Sequence, residues 1–344
     1  MLRWFRYWLA AMLLPALLAA PAAAQAQAPL KFRWGIPTAN YYAVLVARDQ
    51  GLFKEAGLDP EFFVFASGAP MLAGLKSESL DVITTGLATV FALGQNIPLK
   101  LIYWELDHAA AEGLIVDKKS GLTGVADLPK AKAIGAPSGT CAQVSLILIA
   151  RKLGIKYTDL NVVNIAPPLY GNAFSSGAIQ AGVAWSPWSA TLANAGYKIT
   201  NWATDYTPEG GVCPGMTGGR PAFLNANPDL GLKLVQVKAK AMQMIAANPN
   251  LGIDALVKHL GISREVAKAS FDREFSRIPT LEQQIDPASP FSLTAKEGGL
   301  ARKLAVASEA LAAGGTIPQP LTARQITDAI DPSYLQRYQK GERK

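Results

Sequence analysis

Along the chain, a charged start gives way to an apolar stretch, then to small residues, and then to short apolar runs alternating with helix-spaced ones. Arg3 and Arg6 precede Leu9-Ala10-Ala11-Met12-Leu13-Leu14, and Ala22-Ala23-Ala24-Gln25-Ala26-Gln27-Ala28 follows. That order is a secretory signal peptide. Pro15 and Pro21 leave the apolar stretch too short and too interrupted to span a bilayer. Residues 1–26 are expected to be the leader, with cleavage after Ala24 or Ala26, because cleavage after Ala28 would leave Pro29 first. No cysteine precedes the mature start, so a free product in an oxidising space is expected.

Beyond Pro29 the pattern predicts strand, loop, helix and strand in repetition. Strands are expected at Lys31–Ile36, Glu61–Phe65, Asp81–Thr84 and Leu99–Tyr103. Helices are expected at Tyr42–Gln50, stopped by Gly51, at Pro70–Lys76, opened by its proline, and at Leu87–Gln95. Gly113–Val116 reads as a further strand and Lys118–Gly121 as a break. The theme then restarts with strands at Ala133–Ala136, Leu160–Ile165, Ala181–Trp185 and Tyr197–Thr200. Between them lie helices from Ala142 to Leu153 and from Pro187 to Ala195. Past Pro221 only helical spacing remains. Asn227 is expected to cap a helix whose face is Leu234, Val237, Ala241, Met244 and Ile245, and Thr294–Glu297 and Thr322–Gln325 read as capping boxes.

This is an α/β chain of two units, the second inserted between the first and a helical tail. The expected division is residues 29–116 with 214–344 as lobe 1 and 117–213 as lobe 2. The two hinge crossings then fall near Val116-Asp117 and Cys213-Pro214. Ligands of open α/β sheets bind beyond the carboxyl ends of the strands. Two lobes facing each other would form a cleft that hinge motion closes.

Composition narrows the class. Half of all residues are hydrophobic, enough for two ordinary cores. The net charge of +7 includes Arg3 and Arg6, and the other basic residues are scattered without a run. That pattern excludes a nucleic-acid surface and suits a protein that meets small anions. The C-terminal Lys340–Lys344 reads as a frayed tail. Two cysteines in an exported chain, Cys141 and Cys213, suggest one disulfide, with two separate thiols as the alternative. Two histidines, His108 and His259, without ligand spacing leave no material for a metal site, and no cofactor is expected.

Four loops end at expected helix starts: Pro37–Tyr42, Ala66–Ala69, Thr84–Gly86 and Ser138–Cys141. Free backbone N–H groups and the positive end of the helix dipole bind anions there. Thr38, Asn40, Tyr41, Ser67, Thr85, Gly86, Ser138, Gly139 and Thr140 are therefore candidate ligand contacts, with ordinary helix capping as the plainer reading. Tyr41, Trp104, Trp185 and Trp188 fall at strand ends and are candidate walls for the apolar part of a ligand. Core packing is the alternative for some of them. Glu105, Asp107 and Glu112 form an acidic cluster, read either as a solvated loop or as a carboxylate pairing with a ligand amino group.

Several segments resemble one family, the periplasmic solute-binding proteins of nitrate, sulfonate and taurine ABC importers. Ala47–Leu58 resembles its A-x-x-x-G-L-F-x-x-x-G-L element, Ala126-Asp127-Leu128 its turn before the second lobe, and Gly177–Pro187 its G-x-I-D-A-x-x-x-W-x-P element. Ala111–Val116 and Val163–Pro168 are similar to segments of the taurine branch. The loop Ser138–Gln143 stands where that branch has S-T-S-H-Y, and Gln180 stands in place of its Asp.

The resemblance implies a two-lobe periplasmic binding protein of type II. Such a protein captures a taurine- or sulfonate-like anion in the interlobe cleft and delivers it to an ABC permease and ATPase complex at the inner membrane. It implies a periplasmic, monomeric protein, with Glu112 placed to pair with a ligand ammonium. Nitrate or a thiamine-precursor pyrimidine is the alternative ligand. A cysteine enzyme built on Cys141 and His108 is the remote alternative.

Overall fold

The computed structural model describes residues 28–206 and 211–342; the expected leader lies outside them. The first half runs β1 (Leu30–Pro37), α1 (Tyr42–Asp49), α2 (Leu52–Glu55), β2 (Leu58–Phe65), α3 (Met71–Lys76), β3 (Val82–Thr85), α4 (Ala88–Gly94) and β4 (Lys100–Asp107). A 3₁₀ turn, His108–Ala111, leads to β5 (Gly113–Val116) and β6 (Ile134–Gly135). Then come α5 (Cys141–Lys152), β7 (Val162–Val163), α6 (Tyr170–Ser175), β8 (Ala181–Ala184), α7 (Trp188–Asn194), β9 (Lys198–Trp202) and α8 (Ala203–Tyr206). After β10 (Pro214–Gly219) the chain is helical: α9 (Pro221–Ala226), α10 (Leu230–Ala247), α11 (Asn250–Leu260) and α12 (Arg264–Glu274). It closes with α13 (Leu281–Ile285), α14 (Gly299–Ala313), α15 (Ala323–Ala329) and α16 (Ser333–Gln339).

The strands form two five-stranded sheets, in the orders β2-β1-β3-β10-β4 and β7-β6-β8-β5-β9. In each, three parallel strands meet one antiparallel strand, β10 or β5, which pairs on its other side with the last strand. Alternation along β1 sends Phe32, Trp34 and Ile36 into the core, where Trp34 stacks on Phe62 at 5.3 Å and meets Phe53 edge-on at 5.5 Å.

The placement of β5 corrects the expected first crossing. Gly113–Val116 pairs with Ala181–Ala184 and with β9, so it belongs to the second sheet. The crossing therefore precedes Gly113 and consists of the His108–Ala111 turn and Glu112. The chain re-enters the first sheet at Pro214, where β10 inserts between β3 and β4. The helical tail is not confined to the first sheet, since α14 packs on both α4 and α5, and α12 on α7.

Two helix starts also differ from expectation. Asn227 ends α9, and the long helix begins after Asp229. Thr294 does not cap: its hydroxyl donates to the Ile285 carbonyl, and α14 begins after Gly298. Thr322 and Gln325 do form the expected reciprocal box.

Candidate functional site

The loops at the carboxyl ends of β1, β3 and β8 converge with the start of α5 around a cavity of about 20 Å³, room for roughly one water. Pro37, Ala39 and Tyr41 come from the β1 loop, and Gly68 from the loop after β2. Thr85, Gly86, Leu87 and Ala88 come from the β3 loop. The second unit supplies Thr140, Cys141 and Trp185, and the two crossings supply His108 and Cys213. The loops can approach this closely because glycines line the seam. A Cβ on Gly215 would fall 2.7 Å from the Tyr41 ring and 3.2 Å from His108 Nε2, and one on Gly86 would fall 3.0 Å from Cys141 Sγ.

Cys141 and Cys213 are joined as a disulfide, with Cα atoms 5.2 Å apart, and both face the cavity. The bond ties the first residue of α5 to the residue before β10. A carboxyl oxygen of Glu112 lies within 4.8 Å of both sulfurs. As a disulfide neither sulfur is a thiolate, so the trio offers no metal donor set and no nucleophile.

Thr140 opens α5 with no side chain capping its amino end. The uncapped end of this helix abuts the cavity through Thr140 and Cys141, which brings a positive dipole end to the wall. No lysine or arginine lines the wall among the described residues. Burial, with Glu105 and Glu274 nearby, pushes the Tyr41 phenol well above its ordinary range, so it stays neutral.

The polar centre of the site is a network around Glu274. Its Oε2 accepts from Asn40 Nδ2 at 2.7 Å and from the Tyr42 hydroxyl at 3.2 Å, and its Oε1 is 2.9 Å from His108 Nδ1. Asn40 Nδ2 also reaches Ser186 Oγ at 2.9 Å, which joins the two units across the seam. Trp188 makes a second cross-link, donating from Nε1 to the Thr38 carbonyl at 2.8 Å. His108 packs edge-on against Tyr41 at 5.4 Å. Its Nε2 is buried with no hydrogen-bond partner, and the ring lines the cavity. A buried polar atom without a partner costs about 1–3 kcal/mol.

Of the residues expected from sequence, Tyr41, Thr85, Gly86, Thr140 and Trp185 are on the cavity wall. The Thr140 hydroxyl is already committed to the Pro137 carbonyl at 2.6 Å. Thr38, Asn40 and Trp188 stand around the wall in the contacts just described. Ser67 is buried off the wall, Gly139 donates its N–H to Gln143 Oε1, and Ser138 is exposed.

Trp104 lies in the core beside the first sheet. Its indole donates to the Leu106 carbonyl and meets Phe291 edge-on at 5.4 Å. The acidic cluster is spent internally: Glu105 pairs with Lys238 at 2.8 Å and Asp107 with Arg277 at 2.8 Å. Glu112 is buried, takes a hydrogen bond from Ser145 Oγ, and is not on the wall. Desolvation raises its carboxyl to about 8, and Asp107 pushes the same way against the Ser145 hydrogen bond. His108 is a wall residue that sequence reasoning did not single out for the cleft. Its partner Glu274 is 166 positions away, and no local spacing joins them.

The family model described as NMT1/THI5 like matches residues 38–251. The taurine-binding periplasmic protein of Escherichia coli (strain K12) is 26% identical over 210 residues, covering 61% of this chain and 64% of that protein. The alkanesulfonate-binding protein SsuA from Xanthomonas axonopodis pv. citri, solved bound to MOPS, has a TM-score of 0.72 at 19% identity, covering 89% of this chain and 100% of that one. The periplasmic nitrate-binding protein NrtA from Synechocystis PCC 6803 has a TM-score of 0.70 at 15% identity, covering 90% and 88%. These relatives are solute-binding proteins, not enzymes. The paired five-stranded sheets are those of the periplasmic binding proteins, and the chain belongs to the NMT1/THI5-like family.

Proposed function

We propose that the chain is the substrate-binding component of an ABC importer, working in the periplasm, that closes its two lobes on a small anion of the sulfonate or nitrate type. It then presents the closed form to a permease and ATPase complex. The observation that carries this reading is the cavity itself. It lies between the sheets, at the carboxyl ends of strands from both, with an uncapped helix start and an unpartnered imidazole nitrogen on its wall. The free backbone N–H groups and dipole of that helix start can favour an anion there without a lysine or arginine.

Because Glu105 and Asp107 are paired with cations and Glu112 lies off the wall, an ammonium group meets no carboxylate on this wall among the described residues. A simple alkanesulfonate or nitrate therefore suits the site better than taurine. The cavity holds little more than a water, so a ligand of sulfonate size enters as the lobes part and they close around it.

A thermal-shift screen of methanesulfonate, ethanesulfonate, taurine, nitrate and an aminopyrimidine tests the reading. A ligand at about 100 times its dissociation constant should add about 2.7 kcal/mol of stability. Stabilisation by the aminopyrimidine alone would shift the assignment to a nitrogenous ring held between Tyr41 and Trp185. No shift with any of them would overturn the reading.

A further inference from the structure

We propose that His108 is the ligand-contacting donor of this site and that the protein takes up a proton at His108 when it captures an anion. The proposal rests on the anion-binding reading above and adds a specificity-determining residue to it. It begins with Glu274, whose carboxylate gathers three donors: Asn40 Nδ2, the Tyr42 hydroxyl and His108 Nδ1. A carboxylate only accepts, so the proton between His108 and Glu274 belongs to Nδ1. That leaves Nε2, which has no partner and belongs to a ring on the cavity wall. In the neutral ring Nε2 is a bare lone pair, which repels an anion. In the imidazolium it is an N–H that can donate to one.

The anion therefore binds the protonated form and draws the proton in with it. Most charges near the ring are already answered; the exception is the Glu112 carboxyl on the same crossing, which takes one hydrogen bond from Ser145, has an unpartnered Oε2 and titrates at about 8. Glu274 on α12 faces Nδ1. On the same helix, Arg273 donates to the Ala110 carbonyl and stacks over Trp202. From α8, Asp205 accepts from the Trp202 backbone N–H. Asp107, beside His108 in sequence, is paired with Arg277 and Lys303, and Glu105 is paired with Lys238. Tyr41 contributes only a neutral phenol, and β10 contributes no charge.

The ring and its carboxylate together carry no net charge once the proton is on. The site thus recognises a monoanion by a donor hydrogen bond inside a neutral pair. A ligand that offers an N–H or O–H instead would use the Nε2 lone pair and bind the unprotonated ring, reversing the sign of the linkage.

Calorimetry on the wild-type protein with methanesulfonate and with nitrate tests this, because neither probe titrates in the working range. The buffers must be free of sulfonates and differ in ionisation enthalpy, and the range is about pH 6 to about pH 8. Affinity should fall as the pH rises, steepening toward about tenfold per pH unit, with proton uptake approaching one per anion. His108→Asn should bind more weakly and lose most of that slope. Binding without pH dependence or proton uptake, proton release, or a His108→Asn variant with the wild-type slope would each overturn the proposal while leaving anion binding intact. Failure of both probes to bind at any pH would overturn the function proposed above and this inference with it. Because the Glu112 carboxyl titrates at about 8, inside the same range, the proton count is repeated on Glu112→Gln. If His108→Asn fails to fold, uptake that survives in Glu112→Gln supports the proposal, and its loss there overturns it.

Discussion

The two sheets follow one plan but are held in different ways. In the first, β1, β2 and β4 run eight residues each, and the buried carboxylates around it meet cations. Asp81 is paired with Arg33 and Arg220, Glu105 with Lys238, and Asp107 with Arg277. In the second, β6 and β7 are two residues each. The buried carboxyl at its edge, Glu112, has a hydroxyl partner and no cation. Its support comes from outside the sheet: the disulfide, helix α14 packed on α5, and the Lys303 ammonium reaching the Gly211 carbonyl. One plan can be stabilised by paired charges and long ladders, or by borrowed contacts and a covalent tie. Which of the two a lobe uses decides how it fails.

The largest effect should come from unpairing a charge in the first lobe. Lys238→Met strands Glu105 in the core and should cost about 3–5 kcal/mol in urea unfolding. Adding Glu105→Gln to the same chain should recover much of the loss. If the single variant unfolds like wild type, paired charge is not what distinguishes the first lobe.

Next in size is the tie of the second lobe. Replacing Cys141 and Cys213 together by alanine opens a loop with a sequence separation of 72 and should cost about 2–4 kcal/mol. Reduction of the wild type should give a similar shift, accompanied by uptake of two alkylating groups. A double variant as stable as wild type would mean that packing of α14 alone holds the lobe.

The smallest effect sharpens the comparison through pH. The Glu112 carboxyl titrates at about 8 in the folded chain against an ordinary 4.5. The folded protein thus keeps a proton that the unfolded chain gives up. The stability this provides is complete below about pH 4.5 and is lost as the pH rises through about 8. Glu112→Gln should flatten that slope and be more stable than wild type by about 2 kcal/mol near pH 6. A variant that keeps the wild-type slope would place the titrating group elsewhere.

The order of elements was legible because strand and helix spacings are local. Tyr42–Asp49 and Gly113–Val116 can be read from a dozen residues each. Sheet membership was not legible for β5. A buried Gly-Leu-Ile-Val looks the same in either sheet, and its partners arrive only at Ala181 and Lys198. The loops that line the cavity were visible through their glycines, hydroxyls and aromatics. The side chains that do not reach it were not distinguishable. Trp104 stands near the end of a strand as Trp185 does, but β4 runs on to Asp107 and turns the indole toward Phe291. His108 was hidden for the opposite reason, since its surroundings are set by Glu274 and by the Asn40–Tyr42 segment, both far from it in the chain.

The position of β10 has a consequence in time. β4 meets the first sheet through β10, so the ladder joining residues 30–107 waits for residues 214–219. A chain made amino end first at about 5–20 residues per second leaves the facing edges of β3 and β4 unpaired for roughly 6–20 seconds. For that interval the first half of the protein is an open edge that another strand could occupy. The second lobe, though later in sequence, has all five of its strands before the first lobe has closed. The half that is made first is therefore the half that finishes last.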